Sequence, residues 1–251
     1  MGAYRFVGRD GAELACRETG SGRPLILLHG FMGAGSNWLE QGKVDALVEQ
    51  GYRVVLPDLR GHGESAQPHD RASYPPDVLA DDGLALVEHL GLGDGDYDIG
   101  GYSLGARIVV RVLARGAKPR RAIVAGQGLA KVSGPQGGGT SRRLLIALID
   151  GAEIEPDSPD ARMADWISKH GADPRALLYV SESLVPTPDD ALRKITIPTL
   201  VAIGDQDERA DADQLAALLP DARFIRVPGD HESAFTSPAL VAAIAAFLSE
   251  R

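Results

Sequence analysis

The sequence predicts an α/β fold: a mostly parallel, doubly wound sheet with helices on both faces. Short apolar runs alternate along the chain with segments of helical periodicity, as in successive strand–helix–strand units. The runs are almost continuously hydrophobic, which is typical of strands buried on both faces. With 251 residues, 44% of them hydrophobic, the chain can enclose one sizeable core. We therefore expect a single domain over residues 1–251.

The first strands are predicted as a hairpin, at residues 4–7 and 12–17, around the turn signal Arg9-Asp10-Gly11. Six further strands are predicted at residues 24–28, 52–56, 97–99, 121–124, 199–203 and 222–227. The last helix should begin after Ser237 as N-cap, with Pro238 at its first position. Its apolar residues form one stripe: Leu240, Val241, Ile244, Phe247 and Leu248.

A segment of about 65 residues, roughly 128–194, interrupts this alternation. It opens with a glycine-rich stretch at 133–140, expected to be flexible, and continues with three or four short helical pieces. Helix starts are indicated at Ser158-Pro159, Asp173-Pro174 and Thr187-Pro188, where a capping residue precedes proline. Because it leaves from the edge of the sheet where sites form, we interpret it as a small helical lid. Its apolar residues could face a substrate, but packing is favoured for most of them: Leu144, Leu145, Leu148, Met163, Trp166, Ile167, Leu177 and Leu178.

The net charge of −9 would repel a polyanion, so no nucleic-acid partner is expected. No apolar run approaches the ~20 residues of a membrane span, and no signal peptide is visible, which favours a cytoplasmic protein without a membrane partner. The single cysteine, Cys16, cannot form an intrachain disulfide and lies in the predicted hairpin, where a structural or incidental role is favoured. The sequence does not indicate an oligomeric state.

The strongest local motif is Gly101-Tyr102-Ser103-Leu104-Gly105, a G-x-S-x-G sequence between a predicted strand and a predicted helix. A serine at the tip of such a turn has a strained backbone, and its neighbours two places away must be small. The turn would put Ser103 at the positive end of the helix, with the Leu104 N–H facing an oxyanion formed there. Ser103 is therefore the candidate nucleophile.

A serine hydroxyl needs a base within hydrogen-bond reach. Of the six histidines, His231 follows the last strand and should lie at the same sheet edge as Ser103. His29 and His62 are expected to shape turns, although His62 could line the site. The remaining histidines, His69, His89 and His170, are expected to be exposed. His231 is the candidate base.

A carboxylate should orient this histidine from the end of the preceding strand. Asp205, Asp207 and Glu208 all follow the predicted strand at 199–203. Asp205 could instead cap the turn and Glu208 could face solvent, so position alone does not select the acid.

Five motifs, in this order, resemble the α/β-hydrolase family over nearly the whole chain outside the insert. They are Leu27-Leu28-His29-Gly30-Phe31, Pro57-Asp58-Leu59-Arg60-Gly61-His62-Gly63-Glu64-Ser65, the Ser103 turn, Pro198 with Gly204-Asp205-Gln206-Asp207, and Gly229-Asp230-His231. The resemblance implies the order Ser, Asp, His and selects Asp207, three places after Gly204. It also implies that the backbone N–H groups of Phe31 and Leu104 form the oxyanion hole.

By this resemblance, the expected activity is hydrolysis of a carboxylic ester, a thioester, or a C–C bond beside a carbonyl, in a small and partly apolar molecule. Family members with an aspartate nucleophile, the haloalkane dehalogenases and epoxide hydrolases, are disfavoured by Ser103. Cofactor-free perhydrolases remain an alternative, although they tend to have methionine where Leu104 stands. A ligand receptor with an intact triad and little turnover is another. No cofactor and no metal site is expected, because no ligand-spaced cluster or phosphate loop is present.

Overall fold

The computed structural model describes residues 1–134, 140–169 and 172–250. Residues 135–139 of the predicted glycine-rich stretch at 133–140, and His170, lie outside the described residues. The strands are β1 (Gly2–Val7), β2 (Glu13–Gly20), β3 (Arg23–Leu28), β4 (Tyr52–Pro57), β5 (Asp98–Tyr102), β6 (Ala122–Ala125), β7 (Thr199–Gly204) and β8 (Ala222–Val227). The helices are α1 (Asp45–Glu49), α2 (Val78–His89), α3 (Leu104–Ala114), α4 (Leu129–Ser133), α5 (Thr140–Asp150), α6 (Pro159–Lys169), α7 (Pro174–Ser183), α8 (Asp189–Leu192), α9 (Ala212–Leu218), α10 (Ser233–Thr236) and α11 (Pro238–Ser249).

These eight strands form one sheet in the order β1-β2-β4-β3-β5-β6-β7-β8. The pairs β1–β2 and β2–β4 are antiparallel, and all other neighbours are parallel. From β4 the chain crosses back over β3 to β5, so β5 to β8 extend away from β3 on the side opposite β4. This confirms the predicted mostly parallel, doubly wound sheet.

Both faces of the sheet are covered, which explains the continuous apolar runs. In β3, Ile26 and Leu28 belong to the core cluster with α2, α3 and α9, while Leu25 and Leu27 belong to the cluster with α1 and α11. Successive side chains of a strand point to opposite faces. Because helices cover both faces of the sheet, all four side chains are buried, two on each face.

Strand β5 differs from its prediction at residues 97–99. It begins at Asp98 and continues through the glycines to Tyr102, because Gly100 and Gly101 pair in parallel register with Ile123 and Val124 of β6. A Cβ on Gly100 would lie 3.1 Å from Cβ of Ile123, so a small residue fits this position best. The strand thus delivers Ser103 directly to the first turn of α3.

The insert between β6 and β7 holds helices α4 to α8. Two of the three predicted helix starts are observed: Ser158 Oγ accepts the Ala161 N–H (3.0 Å) and Asp173 accepts the Ala176 N–H (2.8 Å). The third prediction was wrong: Thr187 does not cap a helix, because Pro188 takes the N-cap position of α8. Many apolar side chains of the insert pack against one another and against Met32. The most buried of them are Leu144, Leu145, Ile167 and Leu177.

A buried ion-pair cluster holds the loop after β4 against α2. Arg60 (1% exposed) makes a two-bond pair with Asp82 (2.8 and 2.9 Å) and a second with Asp10 of the hairpin turn. Hydrogen bonds from Arg60 lower the pKa of Asp10 to about 2. This contact connects the β1–β2 hairpin to the Pro57–Ser65 motif.

No helix among the described residues is long and apolar enough to cross a membrane.

The packing around α3 generates a stability prediction. A Cβ on Gly105 would lie 2.3 Å from the carbonyl oxygen of Leu28, a backbone atom that cannot move aside. We expect Gly105→Ala to lower the free energy of unfolding by about 3 kcal/mol, as for other overpacked sites. Urea denaturation followed by circular dichroism measures the change.

Gly83 in α2 is the matched control, because its added Cβ would meet only ordinary contacts, the nearest at 3.4 Å from Val112. Gly83→Ala should leave stability unchanged or raise it by up to about 1 kcal/mol through helix propensity. Equal destabilisation by both substitutions would contradict the proposed steric cause.

Candidate active site

Ser103 lies at a sharp turn between β5 and α3. Its backbone has φ 54° and ψ −112°, a left-handed conformation that non-glycine residues rarely adopt. Two backbone hydrogen bonds hold it there: its N–H donates to the Ala125 carbonyl (2.9 Å) and its carbonyl accepts the Arg107 N–H (3.2 Å). A Cβ on Gly101 would lie 2.3 Å from the Gly105 carbonyl carbon, so glycine is required beside the serine, as predicted.

His231 and Asp207 reach Ser103 from two neighbouring loops. His231 Nε2 lies 3.0 Å from Ser103 Oγ, and His231 Nδ1 lies 2.7 Å from Asp207 Oδ2. An ionised carboxylate only accepts hydrogen bonds, so Nδ1 carries the proton and Nε2 is free to accept the serine hydroxyl. The three predicted residues are therefore brought together in one hydrogen-bonded line.

The other two acids have different surroundings. Asp205 Oδ1 accepts the Gly229 N–H (2.9 Å), which ties the end of β7 to the loop that carries His231. Glu208 is exposed. Of the three acids left open by position, Asp207 is the one that contacts the His231 ring.

The protonation of this line follows from burial and charge. Burial lowers the pKa of His231 first, and the Arg209 charge lowers it further, while the hydrogen bond and charge of Asp207 oppose them. The Asp207 side chain is fully buried, yet its pKa is lowered because hydrogen bonds from Arg209 and His231 outweigh the cost of burial. At neutral pH the pair is thus a carboxylate beside a neutral imidazole.

The loop after β3 passes beside Ser103. A Cβ on Gly30 would lie 3.5 Å from Cβ of Ser103, and the next residue, Phe31, lines the same cavity as Ser103. His29 fixes this loop: its Nε2 accepts the Leu59 N–H (3.0 Å) and its Nδ1–H donates to the Gly30 carbonyl (2.8 Å). Leu104, at the first position of α3, has an N–H that no carbonyl of its own helix can accept.

The other histidines and Cys16 are placed largely as expected. His62 is buried in its turn, and its ring edge packs against His29 and Phe31 (centroids 5.1 and 5.8 Å). His69 and His89 are exposed. Cys16 is buried in β2, and burial raises the pKa of its thiol to about 11, so the thiol is unreactive at neutral pH.

Two contacts of the site lie outside the sequence predictions. The Tyr102 hydroxyl donates to the His231 carbonyl (2.7 Å), so the residue before the nucleophile also holds the histidine loop. Arg209 donates to Asp207 from its backbone and side chain. Tyr102 lies within the G-x-S-x-G motif, but nothing in the sequence indicates which partner its hydroxyl would find.

A cavity of about 810 Å³ opens above Ser103 and His231. Phe31, Met32, Tyr102 and Phe235 form its walls on the sheet side, and the insert contributes Met163 and Trp166. Its charged lining residues are Glu40, Arg162, Arg209 and Glu232. The volume is that of a small-molecule site, and the walls combine apolar and aromatic side chains with polar ones such as Asn37, Ser141 and Thr236.

Known proteins resemble this chain in sequence and in fold. A non-heme haloperoxidase from Rhodococcus erythropolis is 41% identical over 109 residues, which are 42% of this chain and 36% of that protein. The non-heme chloroperoxidase CPO-A1 from Kitasatospora aureofaciens is 28% identical over 89% of this chain and 94% of its own. Among solved structures, a thermophilic esterase from Thermogutta terrifontis shares the fold, with a TM-score of 0.77 and 23% identity over 99% of this chain and 98% of that one.

The model of the alpha/beta hydrolase family matches residues 25–244, which span most of the sheet, the insert and the three residues of the hydrogen-bonded line. This match confirms the predicted family, and with it the prediction of an α/β-hydrolase enzyme. The chain belongs to the alpha/beta hydrolase family.

Proposed function

We propose that this protein is a serine hydrolase that cleaves a carboxylic ester of a small, partly apolar molecule. The observation that carries the proposal is the hydrogen-bonded line from Asp207 through His231 to Ser103, which ends in a partly apolar cavity. In this proposal Ser103 is the nucleophile, His231 the general base and Asp207 the residue that orients and stabilises the histidine.

The reaction would proceed in two halves. His231 Nε2 takes the Ser103 proton as Oγ attacks the ester carbonyl, and the N–H groups of Phe31 and Leu104 stabilise the resulting oxyanion. The imidazolium then gives its proton to the leaving alkoxide, which departs and leaves an acyl group on Ser103. In the second half, His231 activates a water that releases the acid and restores the serine.

In this proposal the insert between β6 and β7 is a small helical lid that belongs to the same domain. Its residues Met163 and Trp166 line the same cavity as the proposed nucleophile, Ser103. Met163 is 38% exposed, which is unusual for a large apolar side chain in this chain. A bound apolar group would cover it, which is the part that a lid plays in substrate binding.

Hydrolysis of p-nitrophenyl esters from acetyl to long acyl chains tests the proposed function. We expect turnover by the wild-type protein, and losses of about four orders of magnitude or more in kcat for Ser103→Ala and His231→Ala. The chain length with the highest kcat/KM reports the depth of the cavity.

Gly83→Ala serves as the unaffected control, since this residue lies in α2 outside the site. Equal rates for wild type and Ser103→Ala would overturn the assignment of the nucleophile. Binding of the ester without turnover would favour the receptor alternative, in which the same cavity holds a ligand.

The pH dependence follows from the state of His231. Neutral imidazole is the active base, so activity is complete above the pKa of His231 and is lost as pH falls through it. Because burial lowers this pKa, the acid limb of kcat/KM should lie below the ordinary histidine value of 6.5. A pH profile of kcat/KM measures it; a limb centred above 6.5 would contradict the role of burial.

A second candidate activity is perhydrolysis, favoured by the similarity to the two non-heme peroxidases. Hydrogen peroxide would replace water in the second half, so that the acyl group leaves Ser103 as a peracid. The peracid could then oxidise bromide to hypobromite and return to the carboxylic acid.

Bromination of phenol red in acetate buffer with peroxide and bromide measures this activity. If Ser103 carries it, Ser103→Ala should abolish the bromination along with the ester hydrolysis. Bromination that persists in Ser103→Ala would exclude the acyl-enzyme route.

A further inference from the structure

The two oxygens of the Asp207 carboxylate have separate partners. Oδ2 accepts from His231 Nδ1 (2.7 Å), and Oδ1 accepts from both the backbone N–H (3.0 Å) and Nη1 (3.1 Å) of Arg209. A carboxylate held at both oxygens cannot rotate about its Cβ–Cγ bond without losing hydrogen bonds. The contacts of Arg209 therefore set the direction in which Oδ2 faces the imidazole.

Among the described residues, Asp207 is the acid that lies closest to the Arg209 guanidinium, with Nη1 and Oδ1 3.1 Å apart. The Arg209 side chain is 17% exposed, while its other acidic neighbour, Glu208, is 85% exposed and 3.9 Å away. Its Nε is buried and donates to no atom in the described part of the chain. A buried donor without a partner is costly, so the position of Arg209 is best explained by its contact with Asp207.

We propose that Arg209 is a positioning residue of this site, which fixes Asp207 in line with His231 and places a positive charge beside this pair. The proposal rests on the hydrolase function proposed above. It adds a residue that does not touch the reacting atoms and acts through Asp207 and His231.

The charges around His231 support the second part of the proposal. Asp207 and Glu208 favour the imidazolium form, and Arg209 favours the neutral form. Asp230 and Glu232 flank the histidine in its own loop, and the Tyr102 ring from β5 lies 5.3 Å from its ring. Burial raises the pKa of the Tyr102 hydroxyl, which is therefore neutral. Burial is the main reason that the pKa of His231 is lowered, and the positive charge of Arg209 lowers it further.

Arg209→Gln tests the proposal, because it removes the charge and the side-chain bond but keeps the backbone N–H. We expect kcat for p-nitrophenyl esters to fall on the order of tenfold, as when a hydrogen bond to a charged group is lost. KM should change less than kcat, because Arg209 is one of many residues that line the cavity, whereas its hydrogen bond acts directly on Asp207. The acid limb of kcat/KM should move to higher pH, because removal of a nearby cation raises the pKa of His231.

Two variants separate position from charge. Arg209→Lys retains the charge without the guanidinium geometry, so its acid limb should stay near that of wild type and part of kcat should return. Arg193→Gln removes a charge from an exposed pair with Asp190 and should alter neither quantity. Equal profiles for Arg209→Gln and Arg193→Gln would overturn the proposal.

An NMR titration of protein labelled at the histidine rings reads His231 without any substrate, with His231→Gln giving the assignment. We expect the Arg209→Gln variant to titrate at higher pH than wild type, with a weakened low-field Nδ1–H signal from the bond to Asp207. An unchanged titration and signal would refute the role of Arg209. Failure of ester turnover in wild type would refute the hydrolase function alone, since the NMR result does not depend on turnover.

Discussion

Ser103 has a backbone conformation that costs of order 1–3 kcal/mol and persists only where its surroundings hold it. The close approach of Gly101 to Gly105, and of Gly105 to the end of β3, lets α3 start within one residue of β5. The same turn exposes the serine oxygen above the sheet and presents the N–H of Leu104 at the start of the helix. His231 and Asp207 can align with the serine oxygen only because the backbone of this turn is held in a single conformation.

The partners of Ser103 are held by bonds between loops. Asp205 ties β7 to Gly229, Tyr102 ties β5 to the His231 carbonyl, and Arg209 holds Asp207. The first two bonds join segments at the carboxyl ends of different parallel strands, which lie at one edge of the sheet, while the third lies within the loop after β7. Such bonds limit the movement of His231 relative to Ser103. Proton transfer between them requires this, because it depends on the 3.0 Å contact between His231 Nε2 and Ser103 Oγ.

Much of the sheet and two of the three site residues could be predicted from local patterns. Strands buried on both faces and a serine between two glycines are visible as short sequence signals. The selection of Asp207 over Asp205 needed the family resemblance, because both follow the same strand within three residues. Their different roles depend on Gly229 and His231, about 24 residues further along the chain.

The Pro57–Ser65 motif also shows which properties the sequence reveals and which depend on the tertiary structure. Its spacing marked the family, but the sequence did not indicate that Arg60 would be buried between Asp10 and Asp82. The sequence by itself determined the α/β fold, the nucleophile turn and the candidate base, because these depend on neighbours within a few residues. Only the tertiary structure decided which acid contacts His231 and which residues line the cavity, because those contacts join loops that the sheet brings together.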